Sequence, residues 1–205
     1  MPVRFIKPLF FVLCALPMAW IVWNALLGDL GANPVETITH QTGDWALRLL
    51  LLTLAMTPLR IWFGWSWVIR LRRMAGLFVY FYACCHFLIW FLADHELDIG
   101  SMWRDVLERP YISVGFTAFV LLTPLALTSN QWSMRKLGRH WKRLHRSVYL
   151  IVLLAVVHFL WLVKADYLEP GVYGVIALLL LAARIRWPSG RGRQDKVWPS
   201  QKVAN

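Results

Sequence analysis

The sequence predicts an all-α membrane protein, a six-helix transmembrane bundle over residues 1–187 with both termini cytoplasmic, followed by a basic cytoplasmic tail over 188–205. Three observations carry that prediction. Of the 205 residues 59% are hydrophobic and only 16% charged, against roughly a quarter charged in an ordinary soluble domain. Six apolar segments reach or approach the about 20 residues that a helix needs to cross a hydrocarbon core of about 30 Å. The Lys and Arg residues fall between those segments and mostly on alternate sides, as the positive-inside rule requires.

The first span is placed at 9–27, behind Arg4 and Lys7. It resembles a signal peptide, but no small-residue cleavage site follows and the run is long enough to span. The second, 45–63, and the fourth, 111–129, share a weak echo: LTLAMTPLR and LLTPLALTS both place a Thr-Pro pair near the basic end. Each proline frees a carbonyl one turn back and bends its helix, which hints that helices two and four play equivalent parts. The third span is 74–93, and the fifth and sixth are shorter, at 147–163 and 172–187. Trp65, Trp67, Trp132, Trp141 and Trp187 fall near the basic ends and Trp23, Trp45, Trp90 and Trp161 near the acidic ends, as interfacial belts do.

Counting cations fixes the orientation. Eighteen lie at the N-terminus, in the second-to-third and fourth-to-fifth connections and at the C-terminus, whereas Arg48, Arg104, Arg109 and Lys164 lie on the other side, whose connections carry acids that include Asp29, Asp44, Asp94, Glu96, Asp98, Asp166 and Glu169. The longest outer connection, about 94–110, is too short for an independent domain. A net charge of +11 does not point to nucleic acid, because the basic residues punctuate apolar runs and form no continuous patch. Disorder is excluded by 13 Trp, 11 Phe and 6 Tyr, and a disulfide framework by three cysteines inside apolar runs. No phosphate loop, G-x-S-x-G, H-E-x-x-H or CxxC is present.

Six histidines remain. His40 and His95 in outer connections and His140 in a basic loop read as solvated surface residues. His86 and His158 lie inside spans, where an imidazole without a partner is costly. Each stands eight residues before an acid, Asp94 and Asp166, on helices running the same way, so both sit at nearly the same depth, about 12 Å in. Two facing imidazoles can clamp a haem iron from opposite sides; the alternative is a pair of histidines hydrogen-bonded between helices. Cys84 and Cys85 adjoin His86 but diverge around the helix, and no Asp, Glu or Cys set converges for zinc.

His145 opens the fifth helix, roughly 20 Å before His158. Its counterpart on helix three is Arg72, so it is either a second haem ligand with an unusual partner or an interface residue. Arg48 is placed for a haem propionate or for snorkelling to the interface. Arg72 and Arg73 are placed for a propionate or a flavin phosphate, or act only as topology determinants.

LGANPVETITHQTGDWALRLL (30–50), IRLRRMAGLFVYFYACCHF (69–87), RPYISVGFTAFVLLTPLALTS (109–129) and RKLGRHWKRLHRSVYLIVLLAVVHFLW (135–161) together resemble the MsrQ (formerly YedZ) family of haem-binding membrane subunits, one of the ferric-reductase-like transmembrane domains. The resemblance implies haem ligation by His86, His145 and His158, one or two haems b, and FMN. It also implies electron input from the quinone pool or a cytosolic flavin reductase, and delivery across the bacterial inner membrane to MsrP, a periplasmic molybdopterin enzyme that reduces methionine sulfoxide in oxidised proteins. On that reading the chain is an electron-transfer subunit whose partner performs catalysis. A di-haem quinol-oxidising cytochrome b serving another dehydrogenase is one rival; a small proton-coupled transporter with relay histidines is another.

Overall fold

The structure is a computed structural model that describes residues 3–163 and 166–185. Lys164, the side chain of Arg4 and the expected tail 188–205 lie outside the described residues. The architecture among those described is helical: α1 (Val3–Leu27), α2 (Pro34–Phe63), a 3-10 turn (Val68–Arg70), α3 (Arg72–Ala93), α4 (Ile99–Glu108), α5 (Pro110–Leu127), α6 (Gln131–Leu137), α7 (Arg139–His145), α8 (Val148–Leu162) and α9 (Leu168–Ile185).

Five helical stretches among the described residues are long and apolar enough to cross a membrane: Phe5–Leu27, Pro34–Phe63, Arg72–Ala93, Pro110–Leu127 and Arg139–Leu162. The sixth expected span, 172–187, falls on α9, described only as far as Ile185.

Two antiparallel pairs form the body. α2 packs along α3 and α5 along α8, while α9 closes against α8 and α2, and α1 lies outside against α2 and α3. Leu47, Leu50 and Leu54 of α2 meet Val79 and Tyr82 of α3, Leu122 of α5 and Val152 of α8 in one core. The outer helix α1 turns most of its large apolar side chains outward, with Leu9, Trp20 and Leu26 all more than half exposed, as a face bathed in lipid does.

Side chains mend the backbone where prolines break it. Pro58 of α2 has no N–H for the carbonyl of Leu54 one turn back, and Arg184 of α9 donates to that oxygen from Nη2 at 2.9 Å. The same nitrogen reaches Thr57 Oγ1 at 3.2 Å, and Nη1 donates to Tyr149 at 2.9 Å. On α1, one residue past Pro17, the fully buried Tyr82 hydroxyl accepts from the Met18 N–H and donates to the Cys14 carbonyl. That hydroxyl replaces a ladder bond and fastens α1 to α3.

One expected boundary is corrected here, and one connection gains a helix. α2 begins eleven residues before the expected 45, because Asn33 caps it: its side chain accepts from the Glu36 N–H while donating to the Glu36 carboxylate, with Pro34 at the first turn. This polar entry is invisible to hydropathy. The outer connection contains α4, opened by Asp98 accepting from Gly100 and Ser101 N–H, with Met102 and Val106 buried while Ile99 and Leu107 are exposed.

Candidate functional site

His86 rises from α3 beside Gly43 of α2. Its Nδ1–H donates to the Thr39 carbonyl at 2.9 Å. A Cβ on Gly43 would stand 3.1 Å from the ring, so the missing side chain is what lets the imidazole lie against α2. His158 of α8 repeats the construction against α5. Its Nδ1–H donates to the Tyr111 carbonyl at 2.7 Å, and a Cβ on Gly115 would stand 2.6 Å from Nδ1. In both cases the glycine follows the accepting carbonyl by four residues, one helical turn. The carbonyl, the glycine and the histidine of the second unit each lie 72 residues beyond those of the first.

The two rings face one another, their centroids 6.2 Å apart and their planes at 80°. Because each Nδ1 carries its proton into a carbonyl, each Nε2 keeps its lone pair, the tautomer of a metal-binding histidine held by its second nitrogen. Rings so placed and so held would be able to take one metal ion between their Nε2 atoms. The described residues contain no cluster of three or more His, Cys, Asp or Glu suited to a metal ion, so a metal held by His86 and His158 would have to bring its other ligands with it.

Both histidines line a cavity of about 550 Å³ between the helix pairs, within the range of cofactor sites. Its body is apolar, walled by Leu50, Phe87, Phe116, Phe119, Leu122 and Ile151, and its outer end is polar, with Glu36, His40, Asp44, Asp94 and Arg109. That polarity gradient suits a flat apolar group with a charged edge. Arg109 is held there by Asp105 at 3.0 Å and by the Tyr111 hydroxyl at 3.4 Å.

The other sequence candidates lie elsewhere. The Arg48 guanidinium pairs with Glu169 at 3.3 Å, donates to Tyr173 at 2.7 Å and lies 3.6 Å from Asp44; Arg48 is not among the residues lining the cavity. His145 ends α7 with its ring stacked on Trp141 at 3.8 Å and Nδ1–H donating to the Trp141 carbonyl at 3.1 Å. Its Nε2 is buried with no hydrogen-bond partner among the described residues. Arg72 is in electrostatic reach of His145, Tyr149 and Arg184, whereas Arg73 turns outward toward Lys7 and Arg70.

Of the histidines expected to be solvated in outer connections, one is exposed as expected but stands on a helix, and one is buried. His40 is exposed but sits on α2 at the cavity mouth. His95 is only 8% exposed, tucked against Trp90, with Ser101 at 3.0 Å and Asp105 at 3.5 Å. Its loop doubles back through left-handed Glu96 and Leu97, and α4 covers it. Sequence reasoning overlooked Gly43, Gly115, Arg109 and Arg184. The equal offset between the two glycines and the two histidines was the available signal.

A family model described as ferric reductase like transmembrane component matches residues 42–156. A protein-methionine-sulfoxide reductase heme-binding subunit MsrQ from Bordetella pertussis is 52% identical over 91% of this chain and 92% of its own. The proteins of that name from Herminiimonas arsenicoxydans and Rhodospirillum rubrum are 47% and 45% identical, over 89% and 93% of this chain and 85% and 91% of theirs. No solved structure matches the chain.

Proposed function

From the fact that the chain belongs to the MsrQ family, within the ferric-reductase-like transmembrane components, we propose that it is a b-type cytochrome passing electrons across the bacterial inner membrane to MsrP for methionine sulfoxide reduction. The observation that carries this reading is the pair of tautomer-fixed imidazoles, His86 and His158, facing each other at 6.2 Å across an apolar cavity.

Bound between these rings, haem iron would alternate between its ferric and ferrous states and so handle one electron at a time. The protein's residues do the rest. The carbonyls of Thr39 and Tyr111 hold the ligand nitrogens in aim, and Gly43 and Gly115 leave room for the rings. The phenylalanine walls exclude water and keep the site at low dielectric. Arg109 at the mouth supplies the cation for a propionate, and His40 beside it a hydrogen-bonding ring nitrogen. His145, with its unpartnered Nε2, and the neighbouring Arg72 are the groups for a second haem, and FMN is the cofactor at the donor end.

The basic connections face the cytoplasm in this reading, α9 serves as the sixth span, and electrons enter at the basic end from the quinone pool or a cytosolic flavin reductase. They leave at the acidic outer end, where α4 and the cavity mouth meet the periplasmic partner. The test is a reduced-minus-oxidised spectrum with haem quantitation per chain, then electron delivery to added MsrP. Wild-type protein should show a Soret band and b-type α-band, and His86→Ala with His158→Ala should lose the haem they share. A colourless purified chain, or full haem in the double variant, would refute the assignment.

A further inference from the structure

A second cavity, of about 690 Å³, runs between α1 and α3 on the outside of the bundle. It is separate from the histidine cavity and shares no lining residue with it. Its walls are apolar, with Phe11 of α1 and Phe78 of α3 in edge contact at 5.2 Å and the small side chains of Ala15 and Ala19 forming part of its lining. One end is ringed by Lys7, Arg70 and Arg73.

These three cations are exposed and make no ion pair with any acid among the described residues. Arg70 and Arg73 stand at the start of α3, with Lys7 opposite them on α1; the first turn of α3 contains no acid and its N-cap, Leu71, makes no side-chain cap, so the helix end adds positive potential of its own. The positive-inside rule explains why this end is basic, but not why the charges crown a groove. From Lys7 to Ala19 and from Arg70 to Phe81 the walls run about 16–18 Å along the helices. That is about half of a 30 Å hydrocarbon core, the reach of one acyl chain from headgroup to midplane.

We propose that this groove is a binding site for an anionic phospholipid, its phosphate held by Lys7, Arg70 and Arg73 and one acyl chain lying over Ala15 and Ala19. A quinone head is neutral and would leave the three cations unanswered. A transmembrane helix from a partner needs a wider face than a groove walled by two touching phenylalanines. A lipid phosphate answers the charge, and its chain fits the apolar length.

The experiment is native mass spectrometry of the detergent-solubilised full chain, titrated in parallel with dioleoyl phosphatidylglycerol, dioleoyl phosphatidylcholine, glycerol phosphate and FMN. Phosphatidylglycerol should bind one per chain and far more tightly than phosphatidylcholine. At about fivefold per cation near a membrane surface, the Lys7→Gln, Arg70→Gln, Arg73→Gln triple variant should lose on the order of 100-fold of that affinity. Arg70→Lys with Arg73→Lys should keep most of it, and Ala15→Phe should weaken it with the cations intact. Haem content and thermal unfolding midpoint, unchanged in each variant, report that the fold is preserved and that the histidine site is a separate matter. Equal affinity for the two phospholipids, an unaffected triple variant, or saturation by glycerol phosphate or FMN alone would each overturn the proposal.

Discussion

Replacing Gly115 by alanine tests the site at its tightest point. The new Cβ would stand 2.6 Å from His158 Nδ1 and 2.8 Å from Cε1, where unstrained contact between such atoms needs about 3.5 Å or more. The ring must therefore give way by nearly an ångström, and it cannot do so freely, since Nδ1 is tied to the Tyr111 carbonyl at 2.7 Å on the same helix. Moving it breaks that bond, about 1 kcal/mol, and overpacks the α5–α8 contact, about 1–3 kcal/mol. The sum, about 2–4 kcal/mol, corresponds to a roughly 30- to 700-fold weaker hold on a group that His158 would bind. Gly43→Ala is the control: its Cβ would stand 3.1 Å from the His86 ring, a deficit of a few tenths of an ångström, and should cost under about 1.5 kcal/mol by small adjustment. The assay is haem retained per chain during purification, with the low-spin spectrum as readout of two-imidazole ligation. Full haem with an unaltered spectrum in Gly115→Ala, or a greater loss in Gly43→Ala, would refute the reasoning.

Arg184→Met should lower stability in detergent by about 1–3 kcal/mol, since it strands the Leu54 carbonyl that Pro58 leaves open. Adding Pro58→Ala should recover part of the loss by restoring an in-helix donor, and thermal unfolding of the single and double variants checks it. Tyr82→Phe removes the hydroxyl bridging Met18 and Cys14 and should cost about 1 kcal/mol, seen as faster amide exchange along α1. Asp98 is held below the ordinary carboxylate range by the N–H groups of Gly100 and Ser101. A carboxylate lowered on folding stabilises at pH above its unfolded value, about 3.9, and that support fades as pH falls through the lowered folded value. Amide protection of α4 should therefore decline in acid below about pH 4, and Asp98→Asn should remove that dependence while keeping the cap; unchanged acid sensitivity in the variant would count against the assignment.

The membrane-crossing helices were legible because their signal is aggregate: twenty apolar residues speak together whatever each one touches. The matched depth of His86 and His158 was legible for the same reason, since rise per residue along two parallel helices is additive. What escaped the sequence depends on single contacts. The start of α2 rests on Asn33 and Glu36 exchanging hydrogen bonds, and the burial of His95 rests on α4 folding back over it, which its polar neighbours disguise. Arg184 looks like a topology marker, yet its guanidinium reaches a carbonyl 130 positions earlier. Gly43 and Gly115 have no side chain to carry a pattern, and only their common offset from the histidines betrays them. The Thr-Pro echo hinted at α2 and α5 as counterparts, but it is out of register with the units the structure pairs. The structural equivalence lies elsewhere on those helices, in the carbonyl and glycine that each offers to a neighbour's imidazole.

The groups that aim the two imidazoles are main-chain oxygens, and every amino acid carries one. Exchanging Thr39 or Tyr111 for alanine leaves the aiming carbonyl in place, so a conventional scan of side chains would not find it, and at Tyr111 such a scan would report only the loss of the ring stacked on His158 and of the hydroxyl on Arg109. The orientation of the rings is written into the path of the polypeptide and not into residue identity at those two sites. It therefore tolerates sequence drift there, and it yields to whatever displaces the helical trace itself.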